Sequence, residues 1–391
     1  MSKGRMALLG VSGLLVLMLL GGGVLARVAP AEGTYRQVVL FSEVFSLVLD
    51  NYVDAVAPEG LLKGALDGML EGLDAQGAYL SPEEVVRWKE AKGLGAADPG
   101  VTVVKAYGAL QVAAVVPGSP AETAGIGRGD QIRRIEGRSL RDLSVEQSLR
   151  MLRGEPGSSV RLTILHTRDA FKREELTLRR ALRTDRPERL EVRDGIGVLT
   201  VSDLRRVSPE ALAADLKGAR ERGVDKLLID LRYVADASPR DVLGVAGLFA
   251  PGDLLILKER GGRAVETLKA GGSGNVWSGA LGVLVNGGTA GGAEALAEVL
   301  HSRRKATVYG EPTYGLGAEP KLFELPDGSG LLVSALLWET AGGRGWNGDG
   351  VTPDKMLRPA GKPEDADEDQ LKRALEDFRA AQSAEPLRKA A

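Results

Sequence analysis

VLVNGGTAGGAEALAEVL, residues 283–300, opens as a short β-branched run, turns through Gly287, Gly288, Gly291 and Gly292, and continues as an alanine-rich helix. A strand bending sharply into a helix N-terminus presents backbone N–H groups and a positive dipole end, so it suits a phosphate, a carboxylate or an oxyanion. A phosphate loop of the Walker type needs a Lys and a Ser or Thr directly after its last glycine, and here Gly292 precedes Ala293 and Glu294. A dinucleotide fingerprint needs Gly-x-Gly-x-x-Gly, which these glycines do not supply in register. The address is catalytic, yet no nucleophile is obvious.

The rest of the chain narrows the chemistry. Its 391 residues exceed one ordinary core, so two or three domains are expected. The formal net charge is -2 with both signs well mixed, which gives no nucleic-acid footprint. The basic stretch His301 to Lys305 reads as a solvated helix end. There is no cysteine, hence neither disulfide nor thiolate, and only two histidines, His166 and His301, so a His-based metal cluster or a Ser-His-Asp triad is not expected. No metal and no cofactor are called for.

Met6 to Ala26 holds about 20 residues without a charge, enough for one helical span of a lipid bilayer. Lys3 and Arg5 precede it, and positive-inside logic sends everything after Arg27 across the membrane, into the periplasm or its equivalent. A cleaved signal peptide ending at Val24-Leu25-Ala26 is the rival reading. Both leave the remainder outside the cytoplasm.

Beyond the anchor, Phe41, Val44, Phe45, Val48, Leu49 and Tyr52 recur at helical spacing, and Leu61 to Leu73 carries a second apolar stripe. Gly93 to Pro99 reads as a linker. From about residue 98 to 181, strands and two short helices alternate with Pro-Gly and Gly-Asp turns in a compact mixed domain. TDRPERLEV is a polar joint. After it strands alternate with helices: IGVLTV, Pro209 to Glu221, KLLIDL, Arg240 to Phe249, DLLILK, GVLVN, Ala293 to Leu300. That order predicts a largely parallel sheet covered by helices. The expected architecture is α/β multidomain: an anchor or signal segment at 1–30, a helical segment at 31–92, a small mixed domain at 93–181, an α/β core at 182–360 and a charged, solvated helical tail at 361–391.

PGSPAETAGIGRGDQIRRIEGRSL resembles a PDZ domain, with its Gly-Ser-Pro-Ala turn, short helix and Gly-Asp turn. The order of anchor, helical segment, PDZ domain and α/β core is similar to the carboxy-terminal processing, or tail-specific, serine peptidases. NYVDAV, LDAQGAYLSPEE, IDLR at 229–232 and LPDGSGLLVSALLWETAGGRGWNGDGVTPD carry the same likeness, which covers roughly residues 35 to 357.

The resemblance implies a serine nucleophile in Asn-x-Gly-Ser-Ala-Ser-Ala-Ser-Glu and a neutral lysine base in Gly-Glu-Lys-Thr-Phe-Gly-Lys-Gly. An unactivated hydroxyl is a weak nucleophile and only a desolvated lysine can take its proton near neutral pH. Alignment on Glu294 and on Gly315-x-Gly317 puts Gly291 at the serine and Leu316 at the lysine, 25 residues apart as in the family. A glutamine that orients the lysine falls at Pro320. After Asp230-Leu231-Arg232 the family's Asn-Asn-Pro-Gly-Gly supplies an oxyanion amide, and this chain has Tyr233-Val234-Ala235-Asp236-Ala237. Asp236 would bring negative charge where an oxyanion must form. The turn thus reads as a nucleophile site without its nucleophile.

Thr289 is the nearest hydroxyl and the one substitute candidate, with a helix N-cap as its structural role; Lys305 and Lys321 are the nearest lysines. The expected function is a pseudopeptidase that binds polypeptide C-termini or unfolded tails, alone, as a homo-oligomer or beside an active relative. A working endopeptidase is the alternative. The resemblance places the PDZ carboxylate loop at Pro99-Gly100-Val101. Val145, Leu149 and Leu152, at i, i+4 and i+7, would line the pocket for the terminal side chain. Simple PDZ core packing is the competing role for those three.

Overall fold

The computed structural model describes residues 32–383 apart from 75, 91–96, 107–108, 117, 144, 168–170, 183–185, 236, 272–275, 359 and 361–364. The described residues divide between Ala65 and Leu66 into two compact units. In the first, Glu32–Asn51 is one helix, with the Phe41 and Phe45 rings 6.2 Å apart. Tyr52 lies beyond its end, so the expected stripe overruns the helix by one residue. No described helix is long and apolar enough to cross a membrane, and Met6 to Ala26 lies outside the described residues.

The second unit carries the PDZ part and the core. The described PDZ strands run Val101–Ala106, Ala109–Val115, Gln131–Ile135, Ser159–His166 and Lys172–Arg179 across one sheet, all neighbours antiparallel. Leu110, Ile132, Ile135, Val160, Leu162 and Ile164 close its interior without exposure. The turns expected from sequence have physical anchors. Ser119 caps the helix Pro120–Thr123 by accepting the Glu122 N–H, and buried Asp130 accepts from Gly127 N, Thr167 N and His166 Nδ1, the last at 2.8 Å.

The core sheet follows the order Glu188–Arg193, Ile196–Val201, Lys226–Asp230, Ala280–Val285, Thr307–Gly310, Lys355–Met356, parallel except at its first strand. Helices Pro209–Glu221 and Gly292–Arg304 cover one face. Four expectations need correction. The polar joint contains Glu188–Arg193, an antiparallel edge strand. DLLILK lies outside the parallel sheet: Gly252–Glu259 pairs antiparallel with Ala264–Ala270 and Gly330–Thr340. The expected helix Arg240 to Phe249 shrinks to Leu243–Gly247.

The charged tail, fourth, is not solvated. Leu371, Ala374, Leu375 and Phe378 of the helix Ala366–Ser383 pack against Ile196, Val198, Leu228, Leu284 and Tyr309 and close the other face of the sheet. Its apolar residues at i, i+3, i+4 and i+7 form a buried stripe that the surrounding charges obscure in composition. The 31–92 segment is likewise divided, because Ala78–Leu80 pairs with Gly330–Leu332 and so belongs to the core.

Candidate functional site

The strand Ala280–Val285 runs into the turn 286–291 and the helix Gly292–Arg304. Gly291 is the helix cap, at φ 58° and ψ -114°, a backbone conformation that L residues rarely adopt and that strained strand-to-helix turns use to thrust a nucleophile forward. A Cβ built on Gly291 would stand 3.6 Å from Leu316 Cδ2 and 2.8 Å from the Ala237 carbonyl oxygen. The two positions aligned from sequence with the nucleophile and its base therefore face each other. What meets there is a hydrogen and an isobutyl group.

The amides around that point are spent. Ala290 N donates to Val234 O, Gly291 N to Glu294 Oε2, Gly292 N to Ala237 O at 2.7 Å and Ala293 N to Ala290 O. An oxyanion hole needs N–H groups aimed at the developing charge, and here backbone carbonyls and a carboxylate already hold them. The segment after Arg232 turns its Ala237 carbonyl toward Gly291. Asp236, expected to add repulsion, lies outside the described residues.

Glu294 organises the turn. Fully buried, it accepts from Gly291 N (2.8 Å), Thr313 Oγ1 (2.5 Å), Gly315 N (2.6 Å) and Leu316 N (2.7 Å), and so ties the helix start to the loop 313–316. Burial pushes its carboxyl above the ordinary value, against the pull of those donors. Sequence reasoning used Glu294 only as an alignment anchor. A glutamate three residues after a helix cap is the signal that could have shown its role.

Thr289 is occupied as well. Its buried hydroxyl donates to Leu231 O (2.9 Å) and accepts from Asn286 N (3.1 Å), and it is not the helix N-cap that sequence suggested, because Gly291 holds that position. Lys305 caps the opposite end of the helix, about 20 Å away at 1.5 Å per residue over 13 residues. Lys321 lies exposed over the Phe323 ring. Pro320 sits at a register shift in the strand Ala318–Glu324, where its missing N–H breaks the ladder.

Two further residues, Tyr233 and Tyr314, bind the PDZ part to this turn, and Arg232 ties it to the C-terminal helix. Tyr233, at φ 65°, donates its hydroxyl to Asp367 and lies 4.1 Å beneath the Arg128 guanidinium, whose Nη1 is 2.6 Å from the same carboxylate. Its backbone N–H and that of Gly288 share Asn286 Oδ1. Arg232 grips Asp230 with two nitrogens and reaches Asp367 O and Gln370 on the C-terminal helix. Tyr314 donates to Lys105 O on the PDZ strand, and burial with the nearby Glu294 and Asp74 charges pushes its phenol up to about 12. No motif in the sequence flags the contacts among Tyr233, Arg128 and Asp367, of Arg232 with the C-terminal helix, or of Tyr314 with Lys105, since each joins residues more than a hundred apart.

At the expected carboxylate loop, Gly100 has φ 88° and packs so closely on Ser119 that a side chain would overlap it. Its N–H donates to Asp98 Oδ1 at 2.6 Å, Pro99 O accepts from Ala121 N, and Val101 enters the sheet with 6% exposure. Val101–Ala106 is an edge strand of the described sheet. Leu152 is buried in the PDZ core, whereas Leu149 is half-buried against it. Val145 opens the helix Val145–Leu152, and its side chain lies outside the described residues.

Comparison with known proteins agrees with this architecture. Residues 195–357 match peptidase family S41 and residues 111–165 match a PDZ domain. A probable CtpA-like serine protease of Staphylococcus haemolyticus is 26% identical over 300 residues, 76% of this chain and 60% of that protein. The carboxy-terminal processing protease CtpA of Bacillus subtilis is 25% identical over 315 residues, 80% of this chain and 67% of that one. The match thus spans less than two thirds of the staphylococcal relative's length. Among solved structures, the photosystem II D1 C-terminal processing protease superposes with a TM-score of 0.61 at 24% identity, over 82% of this chain and 92% of that chain, which shows the shared fold. Residues 195–357 accordingly match peptidase family S41 behind a match to a PDZ domain, and the chain is similar in order and fold to the carboxy-terminal processing proteases.

Proposed function

We propose that this protein is a pseudopeptidase, anchored in a membrane by Met6 to Ala26 with its folded part outside the cytoplasm, that binds polypeptide C-termini through its PDZ domain without cutting them. One observation carries the reading: at Gly291 a Cβ would meet the Leu316 side chain and the Ala237 carbonyl, where a serine would need a lysine and free amides. Acyl transfer needs a nucleophile, a base and oxyanion donors within hydrogen-bond distance of one reacting carbon. At this turn Thr289 is engaged on both sides of its oxygen and the amides of 290–293 all have acceptors.

The second reading is a working endopeptidase, favoured by the serine proteases to which the chain is similar. Incubating the full chain with a fluorophosphonate probe and an unfolded substrate bearing an apolar C-terminal tail separates the two. The proposal expects neither labelling nor cleavage, and an adduct on Thr289 or any trimmed product overturns it. For the topology, protease added outside sealed spheroplasts should digest the PDZ domain, and its protection there would refute the assigned orientation.

A further inference from the structure

The PDZ part carries a cluster that neither the turn at Gly291 nor the expected carboxylate loop uses. The strand Gln131–Ile135 meets Ser159–His166 with one irregularity: Ile132 stands opposite Ile164 and Arg134 opposite Thr163, so Arg133 is an extra residue between them. Such a bulge re-aims side chains. Arg133 and Arg134, consecutive in sequence, both reach the surface, while Ile132 and Ile135 on either side stay buried. There they line a cleft of about 380 Å³ together with Ser139, Arg141, Leu165 and Arg173. Ser139 lies opposite Arg134, Arg141 belongs to the helical turn Leu140–Asp142, and Arg173 lies opposite Leu165. Three separate segments thus bring four guanidinium groups to one cleft.

No described carboxylate lines this cleft. Arg133 donates to Gln131 Oε1 at 3.2 Å and Arg134 to Gly137 O at 3.3 Å, both neutral acceptors, and none of the four arginines has an ion pair among the described residues. The neighbouring carboxylates are directed elsewhere: Glu174 meets Lys172 at 3.0 Å, Glu136 accepts from Arg161 N at 2.8 Å, and Glu175 lies opposite Thr163, outside the lining. The whole chain has a net charge of -2, so this positive charge is local. Like charges set side by side on a sheet oppose folding, and an anion that bridges them removes that cost. Each guanidinium is a planar fork of donors that fits two oxygens of one anion. A flat carboxylate offers one such edge, whereas a tetrahedral phosphate offers oxygens to forks that arrive from several sides. No aromatic ring lines the cleft for a nucleobase to stack on. We propose that this cleft binds a phosphomonoester or pyrophosphate group, held by Arg133, Arg134, Arg141 and Arg173. Ser139 Oγ accepts the Arg141 N–H at 3.3 Å and keeps its own hydrogen for a phosphate oxygen.

The full chain would be titrated by calorimetry with pyrophosphate, dihexanoyl phosphatidic acid, dihexanoyl phosphatidylcholine and citrate. Saturable binding of pyrophosphate or of the phosphatidic acid is expected, at least about tenfold tighter than citrate or the phosphatidylcholine. The tighter of the first two tells a free phosphate ligand from a lipid headgroup. Arg134→Gln and Arg173→Gln, both at exposed positions, should each weaken that ligand about tenfold, the scale of one charge-assisted hydrogen bond. Arg179→Gln is the control, since it removes the same charge from the strand Lys172–Arg179 that carries Arg173, about 20 Å further along. Salt screens charges at that separation, so its affinity should change less than about twofold. Saturation with neither phosphate compound, equal affinity for phosphatidylcholine, or parental affinity in both cleft variants overturns the proposal. Equal affinity for citrate overturns it in favour of carboxylates, an acidic peptide among them, and an equal loss in the control reduces the effect to net charge and overturns it too.

Discussion

Two glycine-rich turns in this chain hold a carboxylate of the chain itself, and they hold it differently. At the core turn Glu294 is fully buried and gathers four donors from two segments, including Gly291 N. At the PDZ turn Asp98 is 9% exposed and takes the Gly100 N–H from within its own loop, two residues away. The first carboxylate cements the two segments that the family resemblance aligns with a nucleophile and its base. The second occupies a donor of the loop that the family resemblance assigns to a peptide's carboxylate. Both turns thus hold a carboxylate of the chain on backbone amides, and the difference lies in whether it ties distant segments together or closes only its own loop.

The strongest way to break this comparison is Glu294→Ala. It strips four donors of their acceptor in a buried site, and a loss of about 3 kcal/mol or more is expected in urea denaturation. A loss under about 1 kcal/mol would mean that the segments hold together without it.

Restoring chemistry ranks next. Gly291→Ser with Leu316→Lys should cost about 1–3 kcal/mol, because the new Cβ meets Ala237 O at 2.8 Å in a strained backbone region. It should also leave turnover of a tailed substrate at least about a hundredfold below an ordinary enzyme's, since the oxyanion amides stay occupied. Turnover at an enzyme's usual rate would show that the occupied amides do not matter.

At the PDZ turn the effects are on binding and are smaller. Peptides ending in a free apolar residue should bind about tenfold more tightly than their C-terminal amides, read by calorimetry on the full chain. Leu149→Asp should abolish that binding, with circular dichroism to exclude unfolding. Smallest of all, Asp98→Asn should tighten the free acid by about two- to fivefold and leave the amide unchanged, because a like charge is removed from the loop. Equal gains for acid and amide would assign Asp98 to loop rigidity alone.

What the sequence made legible depends on how local its cause is. The Ser119 cap, the Asp130 turn, the helix Pro209–Glu221 and the strand-turn-helix around Gly291 each follow from residues within a few positions of one another. The alignment of Gly291 with Leu316 was likewise readable, and the built Cβ contact gives it a spatial counterpart. Pairing partners were not: DLLILK has the composition of a buried parallel strand, and only tertiary context places it beside Gly330–Thr340. Nor were the contacts of Tyr233, Arg128 and Asp367, which meet from three distant segments.

The helix Ala366–Ser383 has a consequence for how the molecule comes into being. It closes a face of the sheet whose strands Ile196–Val201 and Lys226–Asp230 precede it by well over a hundred residues, and it carries Asp367, the shared partner of Arg128, Arg232 and Tyr233. Contacts so distant along the chain form slowly, since loop closure must precede any reward from packing. During vectorial synthesis the sheet stands with Leu228, Leu284 and Tyr309 bare until this helix arrives, a window in which a chaperone or a neighbouring nascent chain can reach them.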